Sequence, residues 1–398
     1  MTVWDDLTGQ GAAIEVFRAA AESSAVPVGT ATAAPDSMTH SWLITGPPGS
    51  GRSNLAYAFA SALLCREGGC GVCADCRQVA ARTHPDLAIL ATDRVVITID
   101  EVRKLVSSSQ FSPSVARYRV VVIEDADRMA ERTSNVLLKA LEEPPERTVW
   151  ILCAPSEADL LPTIRSRVRS VRLRVPSTDD VAALLVKRDG IDAETAERAA
   201  RESQSHIGMA HRLATNEEAR ARRADTIELA LSVASVGDAV RGAAKLLEIA
   251  GADAQAITEE RDAEERAAAL RSLGIEPGQA IPPGLRSQIK SLEDDQKRRA
   301  TRSLRDGIDR ILTDLLSLYR DIVLLQLGAH VDLVNEAIAG EVRRVAENND
   351  SSSTLAAMDA ISDARRRIAA NVAPALALEA MLITLAEAGR SASRKVAR

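Results

Sequence analysis

The sequence predicts an α/β domain built on a parallel sheet, followed by a region that is helical throughout. Three observations predict it. Up to about residue 175, short apolar runs such as Arg119-Val120-Val121-Val122-Ile123 alternate with helical segments, the pattern of strands covered on both faces. From Ser177 onward every periodic segment has helical spacing. Near the start, the glycine-rich run Gly46-Pro47-Pro48-Gly49-Ser50-Gly51 lies between a strand signal and a helix signal, and such a junction can cradle phosphate.

Taken in order, Ala21 to Thr39 reads as a loop rich in Ser, Pro, Gly and Ala, and His40 to Thr45 as a short buried strand. Asn54 to Leu64 is an apolar-rich helix, Asp86 to Leu90 a second strand and Ile99 to Ser108 a helix. Arg119 to Ile123 is the central strand, and Thr133 to Glu143 is a helix stopped by Pro144-Pro145. Thr148 to Cys153 is another continuous apolar strand, and Ser170 to Val175 alternates as a final one. Thr178 to Lys187, Asp192 to Glu202 and Met209 to Glu217 form a small three-helix unit. Ala252 to Arg299 is highly charged and broken by Gly274, Pro277, Gly278, Pro282 and Pro283. It reads as exposed helices, Glu259 to Leu270 and Ser287 to Leu304, or as a partly disordered insertion. Ile308 to Leu327, Thr354 to Asn371 and Leu376 to Glu387 are apolar-periodic and should pack, and Gly389 to Arg398 reads as a solvated basic tail. The expected domains are therefore 1–175, 176–217 and 218–398, the last carrying a charged insertion at about 252–300.

Composition narrows the function. A formal net charge of −6 argues against a general coat for nucleic acid. No apolar run approaches a membrane span, and the N-terminus Met1-Thr2-Val3-Trp4-Asp5-Asp6 lacks a basic-then-apolar leader. A cytoplasmic protein with reduced cysteines is expected. Aromatics at 2% leave little for base-stacking platforms.

Two clusters carry chemistry. Gly46-Pro47-Pro48-Gly49-Ser50-Gly51-Arg52-Ser53 follows the phosphate-loop pattern G-x-x-x-x-G-K-[ST] except at Arg52. In that pattern Gly46, Gly49 and Gly51 let backbone N–H groups turn inward, the lysine reaches the β/γ-phosphates, and the hydroxyl at Ser53 would hold Mg²⁺. A planar guanidinium does not replace a compact ammonium there. The alternative is compositional drift, since the chain has seven Lys against 43 Arg. The second cluster is Cys65, Cys70, Cys73 and Cys76, spaced C-x₄-C-x₂-C-x₂-C with Gly68, Gly69 and Gly71 among them. Four thiols this close predict a closed, structural Zn²⁺ site, against scattered free thiols or a redox pair. Cys153, at a strand end, is expected to be buried packing.

A phosphate loop followed at once by a four-cysteine knuckle resembles the bacterial DNA polymerase III clamp-loader AAA+ family. Trp4-Asp5-Asp6-Leu7-Thr8-Gly9-Gln10 is similar to that family's N-terminal box, Asn135 to Pro145 to its "N-A-L-L-K-T-L-E-E-P-P", and Ser166-Arg167-Val168 to its "S-R-C". The likeness covers roughly residues 1–215. It implies a P-loop AAA+ domain with a sheet flanked by helices, a small three-helix lid and an all-α collar-type domain. It also implies gamma/tau and delta subunits as partners and, through the assembly, a sliding clamp and primed DNA.

Departures from the family pattern then point to a member without its own hydrolysis. The acidic pair after the central strand is Glu124-Asp125, inverted from Asp-Glu, which sets the base carboxylate about 1 Å back. Ala154-Pro155 stands near the water-placing polar residue, and Gly208-Met209-Ala210-His211 offers His211 in place of an arginine, with Arg212 one place late. The resemblance gives Arg167 the role of an arginine that enters a neighbour's ATP site, although Arg165, Arg167, Arg169, Arg172 and Arg174 also read as a solvated basic edge. A working ATPase using Arg52, and a scaffold that binds ATP and Mg²⁺ without cleaving it, remain the alternatives.

Overall fold

The computed structural model describes residues 2–5, 7–25, 38–91, 96–272 and 286–396, in two compact units, Met1–Thr215 and Asn216–Arg398. The first unit opens with α1 (Gly11–Ala25), β1 (Ser41–Thr45), α2 (Arg52–Leu64) and α3 (Ala74–Ala80). It continues with β2 (Leu87–Leu90), α4 (Ile99–Ser109), β3 (Arg119–Ile123), α5 (Glu131–Glu142) and β4 (Thr148–Ala154). It closes with α6 (Pro162–Arg165), β5 (Arg169–Arg172), α7 (Thr178–Asp189), α8 (Ala193–Glu202) and α9 (Ile207–Thr215). The five strands form one parallel sheet in the order β2-β3-β4-β1-β5.

Helices cover both faces of this sheet, which is why its central strands are apolar without a break. Along β4, Val149, Ile151 and Cys153 enter one core with Phe17, Trp42 and Phe59. Trp150, Leu152 and Ala154 enter the opposite core with Leu43, Leu137 and Leu141. Phe17 packs at 4.8 Å from Trp42 and 4.7 Å from Phe59, so three of the few aromatics close the α1–α2 side. Because β1 sits between β4 and β5, the carboxyl ends of β1, β3 and β4 gather where the strand order reverses, the place where open α/β sheets bind ligands.

The second unit is helical: α10 (Glu217–Ser232), α11 (Val236–Ser272), α12 (Arg286–Gln326), α13 (Ala339–Asn348), α14 (Ser351–Ala369) and α15 (Pro374–Val396). Leu246, Leu315, Leu318, Ile322, Leu378 and Leu382 are fully buried in its core. Charged groups tie the helices together. Asp253 receives Arg222 and Arg310 at 2.7 and 2.8 Å, and Arg223 reaches Asp314 and Asn335. Asp321 is fully buried and accepts from the backbone N–H groups of Val334 and Asn335 and from the Asn335 side-chain amide.

Several expectations change. Helix α1 runs to Ala25, because Ala19, Ala20 and Ala21 continue a good helix former into the stretch expected to be a loop; residues 26–37 lie outside the described ones. Strand β5 ends at Arg172 rather than Val175: the main chain of Arg174 pairs instead with the side chain of Gln10, which donates to its C=O at 2.8 Å and accepts from its N–H at 3.1 Å. The third small helix starts at Ile207 and stops at Thr215, since Asn216 caps the next one by accepting from Ala219 N–H. Residues 389–396 continue α15, with no proline to stop them. The helices expected at Glu259 to Leu270 and Ser287 to Leu304 are present, as parts of the longer α11 and α12, where Gln296 reaches the Asp262 carbonyl and Arg266 pairs with Glu293 at 2.6 Å. The Gly/Pro-rich part between them, 273–285, lies outside the described residues.

Candidate functional site

The loop Gly46–Ser53 leaves the end of β1 and opens α2. Gly49 and Gly51 have φ of +79° and +90°, backbone that glycine adopts without steric cost. The N–H of Gly46 donates to the Pro155 carbonyl at 3.2 Å, fastening the loop to the end of β4. The Arg52 guanidinium turns back and donates from Nη1 to the Gly46 carbonyl at 2.9 Å, so the side chain lies across its own loop.

Ser53 and Glu124 come together. The Ser53 hydroxyl donates to Glu124 Oε2 at 2.8 Å, and Tyr57, one helical turn along α2, donates its hydroxyl to Oε1 at 2.5 Å. Arg82, held at φ +59°, brings Nη2 to 3.4 Å from the same Oε1 and stacks 4.8 Å over the Tyr57 ring. Both oxygens of Glu124 are thus engaged. Burial, then the Glu124 hydrogen bond and charge, pushes the Tyr57 phenol well up. Asp125 takes a left-handed conformation (φ 52°, ψ 49°) and lies 3.5 Å from Arg128 Nε. Burial, and then the charge of Asp125, raises the Asp127 carboxyl, whose Oδ1 is buried without a hydrogen-bond partner.

The sequence signals missed Tyr57, Arg82 and Asp127. The four-residue spacing from Ser53 puts Tyr57 on the same helix face and could have found it. Nothing local marks Arg82, which follows the knuckle and reaches the site only through the fold.

The small helices meet the loop through His206 and Ile207 rather than His211. The His206 ring lies against Gly49 so closely that an added Cβ would stand 2.3 Å from it, and Ile207 N–H donates to the Gly49 carbonyl. His206 also accepts the Met209 N–H at the start of α9. His211, one turn on, pairs with Asp189 at 2.8 Å. Arg188, with His211, holds that Asp189 carboxyl down to about 2. Gln10 ties the N-terminal segment to the loop by donating to the Ser50 carbonyl. Asp6 of that segment lies outside the described residues.

Arg167 follows α6 at the surface. Its Nε donates to Glu142 Oε1 at 2.6 Å, Nη2 pairs with the same oxygen, and Nη1 donates to the Thr163 carbonyl and the Ser166 hydroxyl at 2.7 and 3.1 Å. Val168 packs on the sheet core, so a valine fills this apolar position.

The four cysteines converge. Cys65 caps α2, Cys73 caps α3, Cys76 lies in α3, and the four sulfurs lie within 4.8 Å of one another. Cys65 Sγ is 3.9 Å from Cys70 Sγ and 3.6 Å from Cys73 Sγ. Sulfurs at about 2.3 Å around a tetrahedral ion stand about 3.8 Å apart, so the set fits a metal ion. Backbone N–H groups of Glu67 and Gly71 donate to the sulfurs of Cys65 and Cys76 at 3.3 Å. Burial raises the Cys65 thiol, but the N–H groups of Cys70, Gly69 and Glu67 outweigh it and bring the thiol to about 7. Val3 N–H donates to the Gly69 carbonyl, docking the N-terminal segment on the knuckle. Cys153 stands apart, buried in the core.

The family model described as DNA polymerase III, delta subunit matches residues 23–177. A DNA polymerase III subunit delta' of Pseudomonas aeruginosa is 40% identical over 134 residues, 32% of this chain and 41% of that protein. Over this stretch the chain is similar to bacterial DNA polymerase III delta and delta' subunits. The delta' of Escherichia coli K12 is 32% identical over 202 residues, covering 49% of this chain and 60% of that one. A gamma/tau subunit of Mycobacterium tuberculosis H37Rv is 31% identical over 155 residues, 38% of this chain and 27% of that one. The chain thus spans less than two thirds of the length of these relatives. Among the described residues, no helix is long and apolar enough to cross a membrane.

Proposed function

We propose that the chain is the delta-prime, or stator, subunit of a clamp loader. In this reading it assembles in the cytoplasm with gamma/tau and delta subunits and helps load a sliding clamp on primed DNA. It lends Arg167 to a neighbour's ATP site instead of hydrolysing ATP itself. The observation that carries the reading is the engagement of Glu124. In a hydrolysing site a hydroxyl and a carboxylate share Mg²⁺; here Ser53 bonds Glu124 directly, and Tyr57 and Arg82 fill its other oxygen. Arg52, in place of lysine, spends a donor on Gly46, and Asp125 is turned aside toward Arg128. Gly46, Gly49 and Gly51 keep the ancestral loop shape around this pairing, and Arg167 stands at the surface where a neighbour could meet it.

Cys65, Cys70, Cys73 and Cys76 would hold one Zn²⁺ as a closed structural centre, joining the end of α2 to α3. With all four positions filled by thiolates, such an ion supplies stability and no water-activating chemistry.

A second reading, an active gamma/tau-type ATPase, is favoured by the gamma/tau relative and by the retained serine at position 53. Turnover of radiolabelled ATP by the isolated chain separates the two. The stator reading expects rates at background for both the wild type and Arg52→Ala. Turnover well above background that Arg52→Ala abolishes would establish the second reading instead.

A further inference from the structure

We propose that Glu142 is a latch that competes with a neighbour's nucleotide for Arg167. This rests on the trans-arginine reading given above. A guanidinium has five N–H donors, and four of those on Arg167 are taken within the chain: one each from Nε and Nη2 by Glu142, and two from Nη1 by Thr163 and Ser166. One Nη2 donor remains, so a phosphate from another subunit can be held by two parallel bonds only by giving up part of this set.

Glu142 is the partner that decides the balance. It is the last residue of α5, immediately before the Glu143-Pro144-Pro145 stop. The carboxyl end of a helix carries partial negative charge, so a carboxylate there is poorly placed unless a cation joins it. Arg167 is the cation paired with it, and its departure leaves Glu142 only the charge of Lys139 in the same last turn. Thr163 and Ser166 offer neutral acceptors, which bind a guanidinium less strongly than a carboxylate does. The pair is also accessible, with side-chain exposures of 33% and 45%, so the exchange needs no unfolding. Arg167 therefore has two positions, paired in cis with Glu142 or in trans with phosphate, and Glu142 sets how much nucleotide is needed to draw it across.

The test is steady-state ATP turnover against ATP concentration, on the ring reconstituted from this chain and its gamma/tau- and delta-type partners with primed DNA and clamp. Glu142→Gln keeps the shape and removes the charge. It is expected to lower the half-saturating ATP concentration roughly two- to fivefold, the range of a half-exposed ion pair, with a smaller change in maximal rate. In an Arg167→Ala background the same substitution should shift nothing, and thermal melting should verify that each variant folds. An unchanged or raised half-saturating concentration in Glu142→Gln overturns the latch while leaving the trans-arginine reading intact, provided Arg167→Ala alone slows turnover. Normal turnover in Arg167→Ala overturns both. A shift by Glu142→Gln that persists without Arg167 also overturns the latch, because Glu142 would then act through another group.

Discussion

A Cys76→Ser chain is expected to lose its metal and to melt on the order of 10 °C below the wild type. Cys76 is buried, sits within α3, and shares a cluster of sulfurs no more than 4.8 Å apart. The segment from Cys65 to Ala80 has little else to hold it. Val79 and Cys76 are its buried residues in α3, and Gly69 leans on Val3 of the N-terminal segment. Structural zinc binds such knuckles with apparent energies of about 10–16 kcal/mol. Only part of that reaches the whole unit, because the sheet keeps its own core, and a unit of about 200 residues loses roughly 2–4 °C per kcal/mol. Elemental analysis should find one zinc per wild-type chain and a fraction of that in Cys76→Ser. A chain free of metal that melts unchanged in chelator would remove zinc from the account.

The second large effect falls on Asp86, far from any cysteine role. Its side chain is fully buried between β2 and the segment that leads into β3. The carboxylate accepts from Ser114 N–H and Oγ at 2.6 and 2.8 Å and from the N–H groups of Val115 and Ala116 at 2.8 and 2.7 Å, with Arg119 Nη1 at 3.7 Å. Asp86→Ala removes the one carboxylate these donors share, but Ser114 and Val115 are exposed and can turn to water, so the loss should be about 1.5–3 kcal/mol in urea unfolding at neutral pH. Burial by itself would raise the Asp86 carboxyl, but the three N–H groups and the hydroxyl outweigh it and hold it below the ordinary value. The folded chain therefore binds this proton less readily than the unfolded chain. The stability is fully present above the unfolded value of about 3.9 and is lost as pH falls through the lower folded value. The gap between wild type and Asp86→Ala should accordingly stay constant from pH 7 to about 5 and narrow below about 4. A gap that widens on acidification, or no gap at neutral pH, would contradict the assignment.

The sheet was legible in the sequence because burial on both sides of β1, β3 and β4 erases alternation and leaves continuous apolar runs. The loop was legible because Gly49 and Gly51 need left-handed backbone, and the four cysteines because they lie close in sequence. Contacts spanning the chain were not legible. Gln10 ends β5 by pairing with Arg174, 164 positions away, and the engagement of Glu124 depends on Arg82 arriving from beyond the knuckle. His206 could not be told from His211 by motif alone; the capping of α9 put His206 on Gly49 and turned His211 toward Asp189. The charged stretch of 252–300 lacks an apolar stripe, so nothing in it announced that its helices continue those packed in the core.

The most direct test of the stator role compares ATP turnover of the reconstituted ring carrying Arg52→Ala or Arg167→Ala in this chain. Arg52→Ala is expected to leave DNA-stimulated turnover at the wild-type rate, and Arg167→Ala to lower it while the ring still assembles. Slowed turnover with Arg52→Ala and normal turnover with Arg167→Ala would contradict that role.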